Sequence, residues 1–566
     1  MLRDDNQRVD KNAAANPRFR ARRPLGSSTV TFYPTEEFTP HEEDVLRRYF
    51  TNLDLPVFAL VNLPEVVKGA LFARYSRSSK SLRRLFLDEF VGELDITGDA
   101  SVDATVGVAR AEQLYERVFL EYGDDSVAQL GGVHLACEQA SNVLTKILER
   151  GRLMSYLEQS TRYIAYDSRI EGRYRYYRDP DVLTSSLGTR FVGDMDRLFD
   201  TYGELLPRLG DHFRIQFPKK AKDSDMVWRQ AIRAKAFDAL RGILPAAALS
   251  NLGMYGTGQA YEALLLRMRA HPLPEARDYA EMMLTELRKV IPSFLQRVDL
   301  PDRGVAWSQY LEDTRDATAA MAAELFAQEP GPEEEPRVQL LDFDPDGEVK
   351  VLAAMLYEHV DLPEHRLLDR VTKMSADDRK RLVEAYAGDR RNRRHKPGRA
   401  LERTDYRFDI LSDYGAFRDL QRHRMLTIAW QPLSPRHGYA LPKSVADAAC
   451  ADLFELAMER SAALYDAMVG PFPEQASYAV ALAYRIRYVM QMNAREAMHL
   501  IELRSGPQGH PEYRKVAQEM HRLIAHEAGH RLIADMFVYA DHSDDGLARL
   551  ESERKAEARR QKRAVP

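Results

Sequence analysis

The chain has 566 residues, more than one hydrophobic core usually spans, so two domains are expected. Hydrophobic residues at 45% and charged residues at 30% exclude a disordered or collagen-like chain, and no apolar run approaches the ~18–20 residues that cross a bilayer. The net charge of -5 excludes a polycation built for nucleic acid, and two cysteines, Cys137 and Cys450, exclude a disulfide framework or cysteine-rich zinc module. The polar amino terminus lacks the apolar core of a secretory signal, so a cytoplasmic protein without a membrane partner is expected.

In chain order, residues 1–26 mix Arg, Asn, Asp and Ala without apolar periodicity and read as a mobile basic arm. A first domain is expected over 27–327. Its pattern predicts a long helix over Ser126–Leu148, running on to Arg150-Gly151-Arg152. Strand-like stretches follow in SYLEQSTRYIAYD and RYRYY, and a helix ends on LLLRMR at Arg269. Prolines and like charges in QEPGPEEEP forbid a packed element and mark a linker over 328–337. The second domain, 338–550, opens with a short strand, a Pro-Asp-Gly turn and an amphipathic helix. It reaches Arg422-His423-Arg424 and then a helix over Ala494–Leu503 ending at Arg504; residues 551–566 form a charged tail. The class is α+β and helix-rich. The arginine landmarks occur once per half, as in a tandem duplication, with extra chain in the first half near Tyr174–Val227.

Two constellations carry chemistry. In the first, Arg150 and Arg152, then Ser160 and Arg162, stand two residues apart and would share one face of an extended chain. Guanidinium forks beside a hydroxyl suit phosphate oxygens, and Glu158 could accept a base or ribose proton. A salt-bridged surface strand is the competing reading. In the second, Arg422-His423-Arg424 is joined by Asn493, Arg495, His499 and Arg504. On a straight helix Arg495 and His499 share a stripe, whereas Arg504 lies on the opposite side. A packing helix with solvated polar flanks is the alternative there.

Both constellations resemble the flavin-dependent thymidylate synthases, whose signature is RHRxxSxNExSxRY, with an A-R-x-x-L-P segment and a later NxRxxxN/HxxxxR helix. Arg150, Arg152, Ser155, Glu158, Ser160, Arg162 and Tyr163 fall on the signature, but Gly151 replaces its histidine and Leu157 its asparagine. In the second half Arg422, His423 and Arg424 are intact, whereas Pro432 replaces the signature serine and Ser477 the nucleotide arginine. The resemblance implies two tandem domains of the thymidylate-synthase-complementing type, with complementary losses and one composite site. It implies deoxyuridylate (dUMP) bound by Glu158, Ser160, Thr161, Arg162 and Arg241. FAD would be bound by Ser126, Arg150, Arg152, Arg422, His423, Arg424, Asn493, Arg495 and His499. Arg504 and, as its first-half counterpart, Arg269 would act on the pyrimidine. NADPH and methylenetetrahydrofolate would be co-substrates, no metal is required, and a homodimer would form a pseudo-tetramer. The family reaction proceeds without a cysteine nucleophile, consistent with Cys137 in a predicted helix and Cys450 after an alanine-rich run.

Three rivals stand beside this. His526-Glu527-Ala-Gly-His530 is a literal HExxH, a zinc-protease pattern if it lies on one helix. Arg390–Lys396 and Arg173–Arg178 are basic runs that could bind nucleic acid, although a solvated loop and a strand over the core explain them. The third rival keeps the fold as a degenerate paralogue that binds flavin or nucleotide or acts on another pyrimidine.

Overall fold

A computed structural model describes Tyr33 and residues 36–63, 67–68, 71–72, 75, 78–89, 129, 131–221, 223–328 and 336–543. The arm at 1–26, Ser126, most of the linker and the tail at 551–566 lie outside the described residues. The described chain builds two four-stranded antiparallel sheets of the same design. The first joins β1 (Val57–Leu60), β2 (Gly132–Ser141), β3 (Met154–Glu158) and β4 (Leu249–Thr257) in the order β1-β2-β4-β3. The second joins β5 (Val338–Phe343), β6 (Asp405–Asp413), β7 (Thr427–Trp430) and β8 (Arg485–Asn493) in the order β5-β6-β8-β7. In each sheet the second strand runs into a short helix (Asn142–Leu148, Tyr414–Leu420), capped by the side chain of Ser141 or Asp413. The fourth strand likewise runs into a longer helix (Gly258–Arg269, Ala494–Arg504), capped by Thr257 or Asn493.

The long helix expected over Ser126–Leu148 is corrected: Gly132–Ser141 is strand, and only Asn142–Leu148 is helical. The reason is burial on both faces of β2. Val133, Leu135 and Cys137 enter the main core, while Ala136 packs among Phe58, Phe72 and Phe86 in a second cluster. A strand covered on both sides has no polar alternation, so its run of apolar residues reads equally well as helix. Ladder pairing shifts between Cys137 and Ala140, and Gln139 at φ 56 takes up the irregularity. Cys137 therefore lies in a strand; burial pushes its thiol well above the ordinary range. The extra chain of the first half lies between β3 and β4, which holds the long helices Gly188–Gln216 and Asp225–Leu240 where the second half has Ala451–Val469.

The halves are joined through backbone. Ala246 and Ala247 donate to Val480 and Tyr478, and Leu482 and Ala483 donate to Leu244 and Gly242, so that 242–247 pairs with 478–483. Gly242 is required at this seam: a Cβ there would stand 2.9 Å from that of Ala483. One hydrophobic core runs through both halves, and the described residues from Tyr33 onward form one compact unit.

Candidate active site at the junction of the halves

The loop after β3 and the helix after β8 bring arginines from opposite halves to one tyrosine. Arg162 lies 5.9 Å and Arg504 5.5 Å, by guanidinium carbon, from the ring centre of Tyr513, which begins the Pro511–His526 helix. Arg162 grips Asp238 with two parallel bonds (2.6 and 2.7 Å), and donates to the Tyr513 hydroxyl at 2.8 Å and to the Gln508 carbonyl at 3.0 Å. Arg504 donates Nε–H to His423 Nε2 at 3.1 Å and stands 3.7 Å from Asp419. Arg422 and Arg241 reach the same Asp419 at 2.5 and 3.3 Å.

Four guanidiniums thus surround two carboxylates. Burial raises the pKa of Asp419, but Arg422, Arg241, Arg504 and Arg162 outweigh it and hold that carboxyl well below the usual carboxylate range. Asp238 is likewise lowered, burial being outweighed by Arg162. Asp413 also faces Arg241, yet burial lifts its carboxyl to about 7, so at neutral pH it carries only about half of a negative charge. His423 and His510 are pushed down to about 4 and about 3, by burial first, with Arg504 and Arg241 respectively adding to it. Both are neutral at pH 7, and the junction keeps a buried excess of positive charge. Two of its donors, Arg241 Nη2 and Arg422 Nε, are buried without a hydrogen-bond partner. Buried cations in excess, with N–H groups unsatisfied, favour an anion bearing several oxygens, such as a phosphate.

The remaining predicted residues fall in distinct places. Arg150 and Arg152 lie on a turn and not on an extended strand, and neither do Ser160 and Arg162 form a strand pair, which corrects the shared-face expectation. Arg150 covers the Trp430 ring at 5.3 Å and Arg152 donates to Thr427, while Arg424 reciprocally reaches the Met154 carbonyl and Ser155. Each arginine motif therefore docks on the other half's third strand. Ser160 accepts from the Arg162 backbone at 3.3 Å, and Thr161 is buried. Glu158 is not free to meet a ligand: it is buried between Lys146 (3.2 Å) and Arg418 (2.7 Å). Arg269 does not join Arg504. It is clamped by Glu281 (2.7 and 3.0 Å), Asp299 (2.7 Å) and the Val298 carbonyl. Asn493 caps its helix, Arg495 turns to Pro397 and Glu402, and His499 bonds Glu496 at 3.3 Å.

Sequence reasoning missed Asp238, Asp419, Glu496, His510 and Tyr513. Asp419 precedes Arg422 by three residues on a short helix and Asp238 precedes Arg241 by three, a spacing visible in the sequence. Tyr513 carries no local signal.

Two family regions match this architecture: residues 70–293 and 339–528 each fit the model described as thymidylate synthase complementing protein. The chain belongs to that family. UPF0159 proteins of Chlamydia pneumoniae and Chlamydia muridarum are 42% and 40% identical over 527 and 526 residues, covering 92% of this chain and 98% and 99% of theirs. A UPF0159 protein of Thermoplasma acidophilum is 32% identical over 518 residues, 86% of this chain and 97% of its own. The tandem arrangement of family regions accounts for the repeated sheet order.

The rivals fare differently. The Pro511–His526 helix ends at His526, Gly529 takes φ 72, and His530 is buried against the Tyr406 hydroxyl at 2.8 Å, so HExxH is not one helical face. His526 lines a separate cleft of about 790 Å³, with His521, Arg522, Arg531 and His542. Arg390 of the basic run is buried in a two-bond pair with Glu502, both at 2.7 Å. Tyr174, Tyr176 and Tyr177 are buried, so Arg173–Arg178 offers no stacking platform and pairs only through isolated bridges. No described helix is long and apolar enough to cross a membrane.

Proposed function

We propose that the chain is a FAD-dependent thymidylate synthase that methylates dUMP, with methylenetetrahydrofolate and NADPH as co-substrates, at one composite site between the halves. The observation that carries this reading is the convergence of Arg162, from the first half, and Arg504, from the second, on Tyr513, beside buried cations with unsatisfied donors. Arg162, Arg241 and Ser160 would hold the 5′-phosphate, Arg162 exchanging Asp238 for phosphate oxygens. A cation beside the pyrimidine lowers the pKa of its N3–H, so Arg504 would favour a deprotonated, more nucleophilic ring. Cations and aromatic faces at Arg150, Arg152, Arg424 and Trp430 suit a diphosphate and a flat ring system, and with His499 would hold FAD, whereas both ring nitrogens of the buried His423 are taken by Glu496 and Arg504. When bound, the flavin supplies the redox chemistry, and the protein orients rings and charge. A homodimer acting as a pseudo-tetramer would complete the assembly, in the cytoplasm.

A second reading, a paralogue that binds flavin or nucleotide without this turnover, is favoured by Gly151, Pro432 and Ser477 and by the partners that Arg162 and Arg241 already have in Asp238 and Asp419. The absorption spectrum of purified chain, then dUMP-dependent reoxidation of reduced flavin with the folate, separates them. Turnover with thymidylate formed supports the synthase; bound FAD without turnover selects the paralogue. Colourless protein that ignores FAD overturns both.

A further inference from the structure

Glu496 sits in the first turn of the Ala494–Arg504 helix, nearly buried, its own N–H donating to Asn493 Oδ1 at 3.0 Å. Its carboxylate meets two imidazoles: His423 Nδ1 at 2.8 Å and His499 Nδ1 at 3.3 Å. The opposite nitrogen of His423, Nε2, stands 3.1 Å from Arg504 Nε. An arginine N–H can only donate, so Nε2 is the bare, accepting nitrogen and the proton lies on Nδ1. A carboxylate facing Nδ1 is what selects that tautomer. We propose that Glu496 is a positioning residue, fixing the proton of His423 on Nδ1 so that His423 accepts from Arg504 and aims its guanidinium at the junction.

Without an accepting Nε2, Arg504 would keep, among the described residues, Asp419 at 3.7 Å and the Tyr513 face, neither of which fixes its plane. Neutral His423 is consistent with this chain, since burial, with Arg504 beside the ring, pushes its pKa down to about 4. His423, Glu496 and His499 also present ligand atoms within 4.8 Å of one another, a set that could hold a metal ion. A metal on Nδ1 would move the His423 proton to Nε2, where it would face the Arg504 N–H. Proton and metal thus require opposite tautomers.

The role in aiming Arg504 rests on the reading of that residue given above, so the test has an arm independent of turnover. Two-bond ¹H–¹⁵N spectra of the unaltered full chain report the His423 tautomer, with Nδ1 protonated expected. A protected Arg504 Nε–H resonance is expected there and in Glu496→Gln, whose amide oxygen can still accept from Nδ1, and is expected to be lost in Glu496→Leu. In dUMP-dependent flavin reoxidation, Glu496→Leu is expected to lower kcat about 10–100-fold, the usual effect of losing such a support. KM for dUMP should change less than about threefold, Glu496→Gln should retain most activity, and Glu496→Leu should add nothing to His423→Leu. A protonated Nε2, stoichiometric metal in the purified chain, an unaltered Arg504 resonance in Glu496→Leu, or additive losses would each overturn the proposal. Absence of turnover in the unaltered chain would instead sink the synthase reading, leaving the tautomer and the resonance to decide this one.

Discussion

Glu158→Gln tests whether Glu158 is a structural anion or a ligand contact. Its carboxylate, at the end of β3, lies between Lys146 of its own half and Arg418 of the other, and Lys146 also bonds Glu149. Burial pushes the Glu158 carboxyl up, but Arg418, Lys146 and Arg422 outweigh it and bring the pKa from 4.5 to about 2. At roughly 1.4 kcal/mol per unit, that difference corresponds to about 3 kcal/mol of stability at neutral pH. Removing one member of a buried ion pair costs about 3–5 kcal/mol by an independent route. The sign follows from a depressed carboxyl: the stabilisation is complete above pH 4.5 and is lost as pH falls through about 2. Urea unfolding at pH 7 should therefore show Glu158→Gln less stable by about 3 kcal/mol. The gap between variant and unaltered chain should stay level down to about pH 5 and narrow below 4.5. A loss under about 1 kcal/mol, or an undiminished gap at pH 3, would refute the reasoning, as would a variant of full stability that no longer binds nucleotide.

Arg162→Lys keeps the charge but loses the two-bond grip on Asp238 and the Tyr513 contact, and should lower kcat/KM for dUMP by about 100-fold or more while flavin content is retained. His510, held neutral with a pKa near 3, contributes stability that is complete above pH 6.5 and lost as pH falls below it. His510→Asn, which can still cap Glu512, should flatten the fall in melting temperature between pH 6.5 and 4; an unchanged slope would refute the assignment. Gly151→His should not create a second site. A Cβ there would stand 2.7 Å from the Tyr156 hydroxyl, so the variant should lose the Tyr156–Gly151 bond and about 1 kcal/mol, and a doubled flavin content would refute this.

Much of the fold could be read from the sequence, though not all of its strands. The duplication and the Ala494–Arg504 helix follow from motifs and amphipathic spacing, and β5 from Val338–Phe343 beside a Pro-Asp-Gly turn. β2 escaped because its two buried faces erase alternation, and the turn at Arg150–Arg152 because arginine spacing says nothing about backbone. At the site, residue types were legible and pairings were not. Arg162 and Arg504 could be named from motifs, but their meeting depends on Tyr513 and on the seam between 242–247 and 478–483, which join residues hundreds of positions apart. Glu158 looked like a ligand contact because its two buried cations, Lys146 and Arg418, come from separate segments.

The two halves differ at matching places. Arg269 and Arg504 both end the helix that follows a fourth strand, and Gly151 and His423 both sit between the arginines of a motif. Where the motif holds histidine, its Nε2 gives the helix-end arginine an acceptor, and Glu496 stands behind the ring to keep it accepting. Where the motif holds glycine there is no ring to accept, and Ala260, which follows the cap Thr257 as Glu496 follows Asn493, carries no carboxylate. Arg269 then finds its partners outward, in Glu281 and Asp299. The glycine of the first-half motif and the outward pairing of Arg269 thus occur together, whereas in the second half the motif histidine and Arg504 are bonded to one another.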